Sequence, residues 1–236
     1  MSPPSGDAGS AKPPQGSARP LEVRELGMVP YSAGLELQAD LVVKRRAGDI
    51  VDTLLLLEHP HVITKGTATE PENILVTAAE RDAMGIELFD VGRGGDVTYH
   101  GPGQIVGYPI LDLKPDRQDL HRYLRDLEGM LIDVLAEYGV PGRRVDGLTG
   151  VWTPLGKIAA IGIRVSSGWI TSHGFALNLS TDLAYFGTIV PCGIQDRGVA
   201  TLEMELGRDV DPAEVRQRLA RATAATFGRV LVPQAD

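Results

Sequence analysis

The sequence predicts an α+β fold, a mixed β-sheet flanked by helices, and three observations carry that prediction. Strand-like runs occur in groups and do not alternate singly with helices. Three long stretches with helical spacing lie between and after those groups, at 31–46, 116–138 and 211–227. One short run, TLLLLE at 53–58, is almost pure leucine, as expected for a strand buried on both faces.

Residues 1–20, MSPPSGDAGSAKPPQGSARP, contain no large apolar side chain after Met1 and cannot offset the entropy of ordering. They are expected to be a disordered tail without a catalytic role, and 21–236 a single catalytic domain. Residues 21–26 partly alternate and read as a first strand. The helix at 31–46 places Tyr31, Leu35, Ala39 and Val42 on one face and ends in Lys44, Arg45 and Arg46, which suit its negative pole. The strand at 51–58 stops at His59-Pro60. A helix at 76–84 ends at Gly85, and 86–91 is a strand. Glycines open the next segment as a loop, followed by a strand at 104–111. The helix at 116–138 carries Leu120, Leu124, Leu127, Leu131 and Leu135 on one face. Short strands follow at 151–152, 157–165 and 169–177, the last two joined by a turn at Ser166-Ser167-Gly168. Asp211-Pro212 opens the closing helix as cap and first turn.

Composition narrows the function classes. The chain has 236 residues, 43% of them hydrophobic and 23% charged, ordinary values for a protein with a real core. No apolar run approaches the roughly 18–20 residues needed to cross a bilayer, and no secretory signal is visible, so a cytoplasmic protein is expected. A net charge of −8 argues against nucleic acid as a partner. An acidic partner would need a local basic patch, for which Lys44, Arg45, Arg46, Arg143, Arg144 and Arg164 are candidates. The single cysteine, Cys192, excludes an internal disulfide and the cysteine-rich zinc sites. No HExxH pattern occurs, so no metal site is expected.

Three stretches carry chemistry. RGGDVTYHGPGQ (93–104) has glycines that let backbone N–H groups approach a ligand, without the spacing of a phosphate or dinucleotide loop. In KIAAIGIRV (157–165), Lys157 opens a strand of apolar and small residues, where a desolvated amine is usable as a base. HGFALN (173–178) precedes FGTIVPCGI (186–194), in which an apolar strand is expected to lead into Pro191-Cys192-Gly193. A tight turn there would display the thiol beside a backbone amide able to bind an oxyanion. A buried structural cysteine and a solvated lysine at a strand mouth are the ordinary alternatives.

These stretches, with LLLLEHPHVITKG (54–66), RGGDVTYHGPGQIVGYPILDL (93–113) and GVW (150–152), resemble the lipoyl(octanoyl) transferases in order and across nearly all of 54–205. The resemblance implies the fold of the biotin and lipoate protein ligases. It also implies an acyltransferase that moves octanoate from octanoyl-acyl carrier protein to lipoyl-domain lysines, those of 2-oxoacid dehydrogenase complexes and of the glycine cleavage H protein. On the same ground Cys192 is the acyl-thioester nucleophile and Lys157 its partner, with no cofactor and no metal. Arg93, Gly94, Gly95, Asp96, Val97, Thr98, Tyr99 and His100 become a substrate-binding loop, with Ala160, Ile161, Gly162, His173, Gly174, Phe175 and Ala176 as further contacts. Tyr99, Ile161 and Phe175 are candidates for the floor of the acyl pocket. His61 and Lys65 depart from the apolar residues usual after EHP, and the turn at 166–172 is one residue longer than in the pattern. An ATP-dependent lipoate or biotin ligase and a non-catalytic carrier-binding module are the competing readings.

Overall fold

The computed structural model describes residues 18–190 and 198–234. The expected tail therefore lies outside the described residues as far as 17. Arg19 and Pro20 already pair with Arg229 and Val230, so the sheet includes the last two residues assigned to the tail.

Among the described residues, strands and α-helices follow in the order β1 (Arg19–Met28), α1 (Tyr31–Ala47), β2 (Asp52–Glu58), β3 (Val62–Lys65), α2 (Ala78–Met84), β4 (Glu87–Asp90), β5 (Thr98–His100), β6 (Gln104–Ile110), α3 (Leu120–Ala136), β7 (Arg143–Val145), β8 (Leu148–Trp152), β9 (Lys157–Val165), β10 (Thr171–Asn178), α4 (Leu202–Leu206), α5 (Pro212–Phe227) and β11 (Arg229–Val232). The main sheet runs β11-β1-β2-β6-β10-β9-β8-β7, with β1 parallel to β11 and to β2 and the remaining pairs antiparallel. A smaller sheet has the order β4-β3-β5. The mixed sheet and flanking helices are as the sequence predicts. Among the described residues no helix is long and apolar enough to cross a membrane.

Local chemistry fixes the helix ends. Asp119 caps α3 by accepting from the Arg122 N–H at 3.0 Å, and Asp211 caps α5 by accepting from Ala213 at 2.9 Å. Thr77 and Glu80 cap α2 reciprocally, and such caps are each worth about 1 kcal/mol. Gly48, Gly85 and Gly228 close α1, α2 and α5 in the left-handed region that favours glycine.

The two sheet faces bury different sets. Leu54, Leu56, Ile105, Ile161, Phe175 and Leu177 meet α3 and α5 in the larger core. Leu55, Leu57, Val106, Tyr108 and Ala176 meet α1 on the other side. Successive leucines of β2 thus enter opposite cores, which is why that strand has no polar face.

Several expectations are corrected here. The buried face of α1 is Tyr31, Gly34, Gln38 and Leu41, one position away from the predicted Leu35, Ala39 and Val42. Gln38 replaces an apolar residue because its amide is satisfied, donating to Gly34 O at 3.3 Å and accepting from His173 N–H at 2.7 Å. Helix α3 starts at Leu120, which is half exposed, and not at 116. The expected strand at 186–190 is instead a 3₁₀ turn over Leu183–Thr188, after which Ile189 bridges Ile74. Within the glycine-rich segment, Thr98–His100 form a strand against β3.

A fully buried carboxylate ties the sheet edge together. Asp52 accepts from Arg45 Nε at 2.6 Å, from Arg229 Nε at 2.7 Å and from the Asp112 N–H at 2.9 Å, with Arg19 at 3.4 Å. Elements far apart in sequence, β1, α1 and β11, thereby share one anion.

Candidate active site

A cleft of 620 Å³ opens where the loop at 93–97 crosses the main sheet. Its lining combines that loop, Thr98 and His100 of β5, the central stretches of β9 and β10, the first turns of α3 and the β7–β8 hairpin. On one sheet face the register sets Ala160 beside Ala176 and Gly162 beside Gly174, all four in the lining. That part of the wall carries no side chain larger than a methyl group.

Arg93 shapes the loop from inside. Its guanidinium is buried and donates to Thr64 O at 2.9 Å, Thr64 Oγ1 at 2.8 Å and Asp96 O at 2.7 Å, drawing residues 93–96 into a tight arch. The arch is stitched to the sheet by Gly94 N–H donating to Ile163 O at 2.9 Å. Gly162 is obligatory beneath it, because an added Cβ would lie 2.8 Å from Arg93 Cδ. Asp96 accepts from Asn73 at 2.7 Å and from its neighbour Val97 N–H at 2.6 Å, so its carboxylate serves the loop's own geometry.

Lys157, the first residue of β9, is buried and lies with Nζ 5.5 Å from the Trp152 ring centre. Gly150 makes room for it: at φ +117° an added Cβ would stand 2.7 Å from Lys157 Cε. Gly150 N–H in turn donates to the fully buried Glu128 of α3 at 3.1 Å, and Glu128 also accepts from Arg144 Nε at 3.0 Å and Arg125 at 2.6 Å. Thus α3 positions the hairpin against which Lys157 lies.

Cys192 and its neighbours 191–197 lie outside the described residues, so no distance from the thiol is stated. The chain on either side is described. Val190 N–H donates to Asn73 O at 2.8 Å, while Gly198 O accepts from Lys157 N–H at 2.9 Å and Ala200 N–H donates to Lys157 O at 3.0 Å. Phe186 before the segment and Val199 after it both line the cleft.

A buried polar relay reaches from that flank to His100. Asn178 Nδ2 donates to Ala200 O at 3.1 Å, which leaves Asn178 Oδ1 to accept from Gln104 Nε2 at 2.9 Å. Gln104 Oε1 is then the acceptor for His100 Nδ1 at 2.7 Å. Nδ1 must carry the hydrogen, and the His100 Nε2 lone pair is left as the ring's acceptor. Burial pushes His100 down to about 3, with His59 adding to the effect, so it stays neutral. Burial likewise lowers His173 to about 4, helped by Arg93 and Arg164, and His59 to about 4. His173 also takes a left-handed backbone, φ 55°, a few-kcal/mol strain of the kind functional clefts retain.

Of the residues singled out in the sequence, Lys157, Arg93, Gly94, Gly95, Asp96, Val97, Thr98, His100, Ala160, Ile161, Gly162, His173, Gly174, Phe175 and Ala176 all line this one cleft. Tyr99 does not. The two-residue period of β5 turns it away, where its hydroxyl meets His61 Nδ1 at 2.7 Å and its ring packs with Tyr185 and Phe186. That contact explains His61, and Lys65 pairs with Asp90. Sequence reasoning missed Gln104, Asn178, Glu128 and Gly150. Asn178, set between Leu177 and Leu179, and Gln104, at the head of an apolar run, carried the one available signal, a polar residue in a strand expected to be buried, whereas Glu128 and Gly150 carried none.

A two-sided mixed sheet carrying a 620 Å³ cleft with a buried lysine and a glycine-rich loop has the biotin and lipoate ligase architecture. Residues 30–224 match the lipoyl protein ligase A/B catalytic domain, and the chain belongs to that family. It is 52% identical over 210 residues to the octanoyltransferase of Rubrobacter xylanophilus, covering 88% of this chain and 94% of that protein. The octanoyltransferase of Chloroflexus aggregans is 50% identical over 211 residues, covering 89% and 96%. The protein is therefore an acyltransferase of the octanoyltransferase group. Solved structures at lower identity share the fold. A lipoate-protein ligase A bound with ATP has a TM-score of 0.72 at 19% identity, covering 93% of this chain and 90% of that one. The biotin protein ligase of Aquifex aeolicus with biotin and ATP has a TM-score of 0.54 at 16% identity, covering 87% and 70%.

Proposed function

We propose that this enzyme transfers octanoate from octanoyl-acyl carrier protein to the acceptor lysine of lipoyl domains, through an octanoyl thioester on Cys192. The observation that supports the reading is that Phe186 before 191–197 and Val199 after it both line the cleft, and that the following flank is bonded to the backbone of Lys157 itself. Seven residues separate those two flanks, and Cys192 is the second of them.

In the first half-reaction the Cys192 thiolate attacks the donor carbonyl, with its proton on Lys157 Nζ. The donor C–S bond breaks, and the departing carrier thiolate takes that proton back. In the second, the acceptor lysine attacks octanoyl-Cys192, neutral Lys157 takes the amine proton, and the amide forms as the Cys192 thiolate leaves. A thioester exchanged for an amide runs downhill, so the scheme needs no nucleotide. His100, neutral and presenting Nε2, orients an incoming N–H without taking its proton. The acceptors are lipoyl domains of 2-oxoacid dehydrogenase complexes and the glycine cleavage H protein, and the reaction is cytoplasmic.

The test is intact-mass measurement after mixing the protein with octanoyl-acyl carrier protein in the absence of ATP, beside Cys192→Ser. An octanoyl increment removed by hydroxylamine and missing from the variant is expected. Octanoylation of a lipoyl domain only when ATP and free octanoate are supplied would instead establish a ligase.

A further inference from the structure

A second groove, of 490 Å³, runs between α1 and the β9–β10 hairpin, and His173 lines both it and the catalytic cleft. One wall is a stripe of α1: Leu35, Ala39, Val42 and, at its basic end, Arg46. Leu35, Ala39 and Val42 are the apolar positions that the sequence places on the helix's buried face; the fold leaves Leu35 and Val42 partly exposed and Ala39 exposed. The other wall holds Arg164, Ser166, Ser167 and Ser172.

The groove's charge is one-sided in a chain of net charge −8. Arg46 and Arg164 are its only charged lining residues, and no carboxylate is among them. The other basic candidates are otherwise engaged or elsewhere. Lys44 pairs with Asp40 at 2.8 Å, Arg45 with Asp52 and Arg144 with Glu128, while Arg143 does not line the groove. Among the described residues, neither Arg46 nor Arg164 has an ion pair. Each lies over a glycine: an added Cβ would be 3.2 Å from Arg46 Nε at Gly168 and 2.8 Å from Arg164 Nη1 at Gly92. Ser166 Oγ accepts from Ile170 N–H at 3.3 Å, and among the described residues its own hydroxyl has no acceptor. On the sheet, Arg164 pairs with Ser172 in the register step beyond Gly162 and Gly174, so groove and cleft share one face.

We propose that this groove binds the phosphate ester of the arm that carries the donor thioester, with Arg46 and Arg164 as its anion-binding residues. The inference rests on the donor chemistry proposed above. Two guanidinium forks and serine hydroxyls in a concavity suit a compact tetrahedral anion. The α1 stripe of Leu35, Ala39 and Val42 suits the aliphatic part of the arm. An acidic protein face would instead meet cations spread over a convex surface, and such a face is the alternative occupant to be tested.

The experiment has a binding readout and a kinetic one, both on the full chain. The ³¹P resonance of phosphopantetheine is titrated with wild type and with Arg46→Gln/Arg164→Gln, and inorganic phosphate is added as competitor. Saturable broadening relieved by phosphate, with affinity weakened by about tenfold or more in the variant, is expected for two lost charge-assisted contacts. In kinetics, the wild-type preference in kcat/KM for octanoyl-phosphopantetheine over octanoyl-pantetheine should fall towards one in the variant. Octanoyl-coenzyme A should lose activity in the variant relative to octanoyl-pantetheine as well, because its arm also carries a 4′-phosphate, there within a pyrophosphate. An unchanged preference, or equal loss on both small donors, would overturn the assignment. A loss confined to the intact carrier protein would also overturn it, in favour of an acidic protein face. Ser166→Ala/Ser172→Ala, which keeps both charges, should give a smaller loss of the same preference. Phosphopantetheine binding by a wild type that transfers octanoate from no donor would sink the functional reading and leave the phosphate site standing.

Discussion

Lys157 and Val199 form a parallel bridge, with Lys157 N–H donating to Gly198 O at 2.9 Å and Ala200 N–H to Lys157 O at 3.0 Å. The residue proposed to shuttle the proton is thus also the backbone anchor for the chain leaving the segment that contains Cys192. One strand end therefore holds both the backbone of the amine-bearing residue and the chain that follows 191–197.

Gly156→Ala should separate them. At φ +151° an added Cβ would stand 2.3 Å from Gly198 O, so the flank must move. Displacement of about 1 Å at reacting groups costs on the order of 100-fold. The expectation is a kcat loss of that order, with the donor KM little changed, in steady-state assays run below the variant's melting transition. An unaltered kcat would show that the bridge does not position the thiol.

Gln104→Leu should break the relay to His100. It leaves Asn178 Oδ1 and His100 Nδ1 without their partners, at a stability cost of about 1–3 kcal/mol. The tautomer is directly readable: the ¹⁵N shifts of His100 should report Nδ1–H in wild type and a mixture in the variant. Both nitrogens unchanged would mean that Gln104 does not set the tautomer.

Asp52→Ala should be among the most destabilising single changes. It strands the Arg229 guanidinium in the interior with Arg45 beside it, and breaking such a buried pair costs about 3–5 kcal/mol. Urea denaturation followed by circular dichroism checks this. Because the network lies at the sheet edge, KM for the donor should not move in protein that remains folded.

Acid should weaken the fold through the neutral histidines. His59 and His173 titrate near 4 and His100 near 3 in the folded state, against about 6.5 when unfolded. The unfolded chain therefore binds more protons between those values. Their contribution is fully present above about pH 6.5 and is lost as pH falls through 4 towards 3, each group withdrawing up to about 1.4 kcal/mol per unit. Melting temperatures measured from pH 7.5 to 4.5 should fall, and His59→Gln should reduce the slope. A slope unchanged in that variant would assign the acid sensitivity to other groups.

Much of this was legible in the sequence, and the failures have physical causes. The three long helices and the strands of KIAAIGIRV and HGFALN are visible because periodicity survives over many residues. The face of α1 was misplaced because Gly34 and Gln38 hold core positions without being apolar: Gly34 admits the His59 ring, and Gln38 is satisfied by hydrogen bonds. A three-residue strand such as Thr98–His100 has too little pattern to show, so Tyr99 was grouped with the cleft and not with the small sheet. The loop and strand residues of the cleft could be named because they sit in long unusual motifs. Glu128 and Gly150 could not, since their importance lies in a contact between α3 and β8 that no local spacing records.

The strip of wall made by Ala160 and Ala176, next to the Arg93 arch that covers Gly162, has on the proposed reading a consequence for the shape of the acyl chain. A strip lined by methyl groups and overhung by that arch offers no recess for a side branch, so straightness becomes a selection rule alongside length. A methyl-branched octanoyl donor should therefore be a poor substrate even though its volume is nearly that of nonanoyl. Competition between the two in one assay would read the rule directly, and equal turnover would show that volume alone is measured.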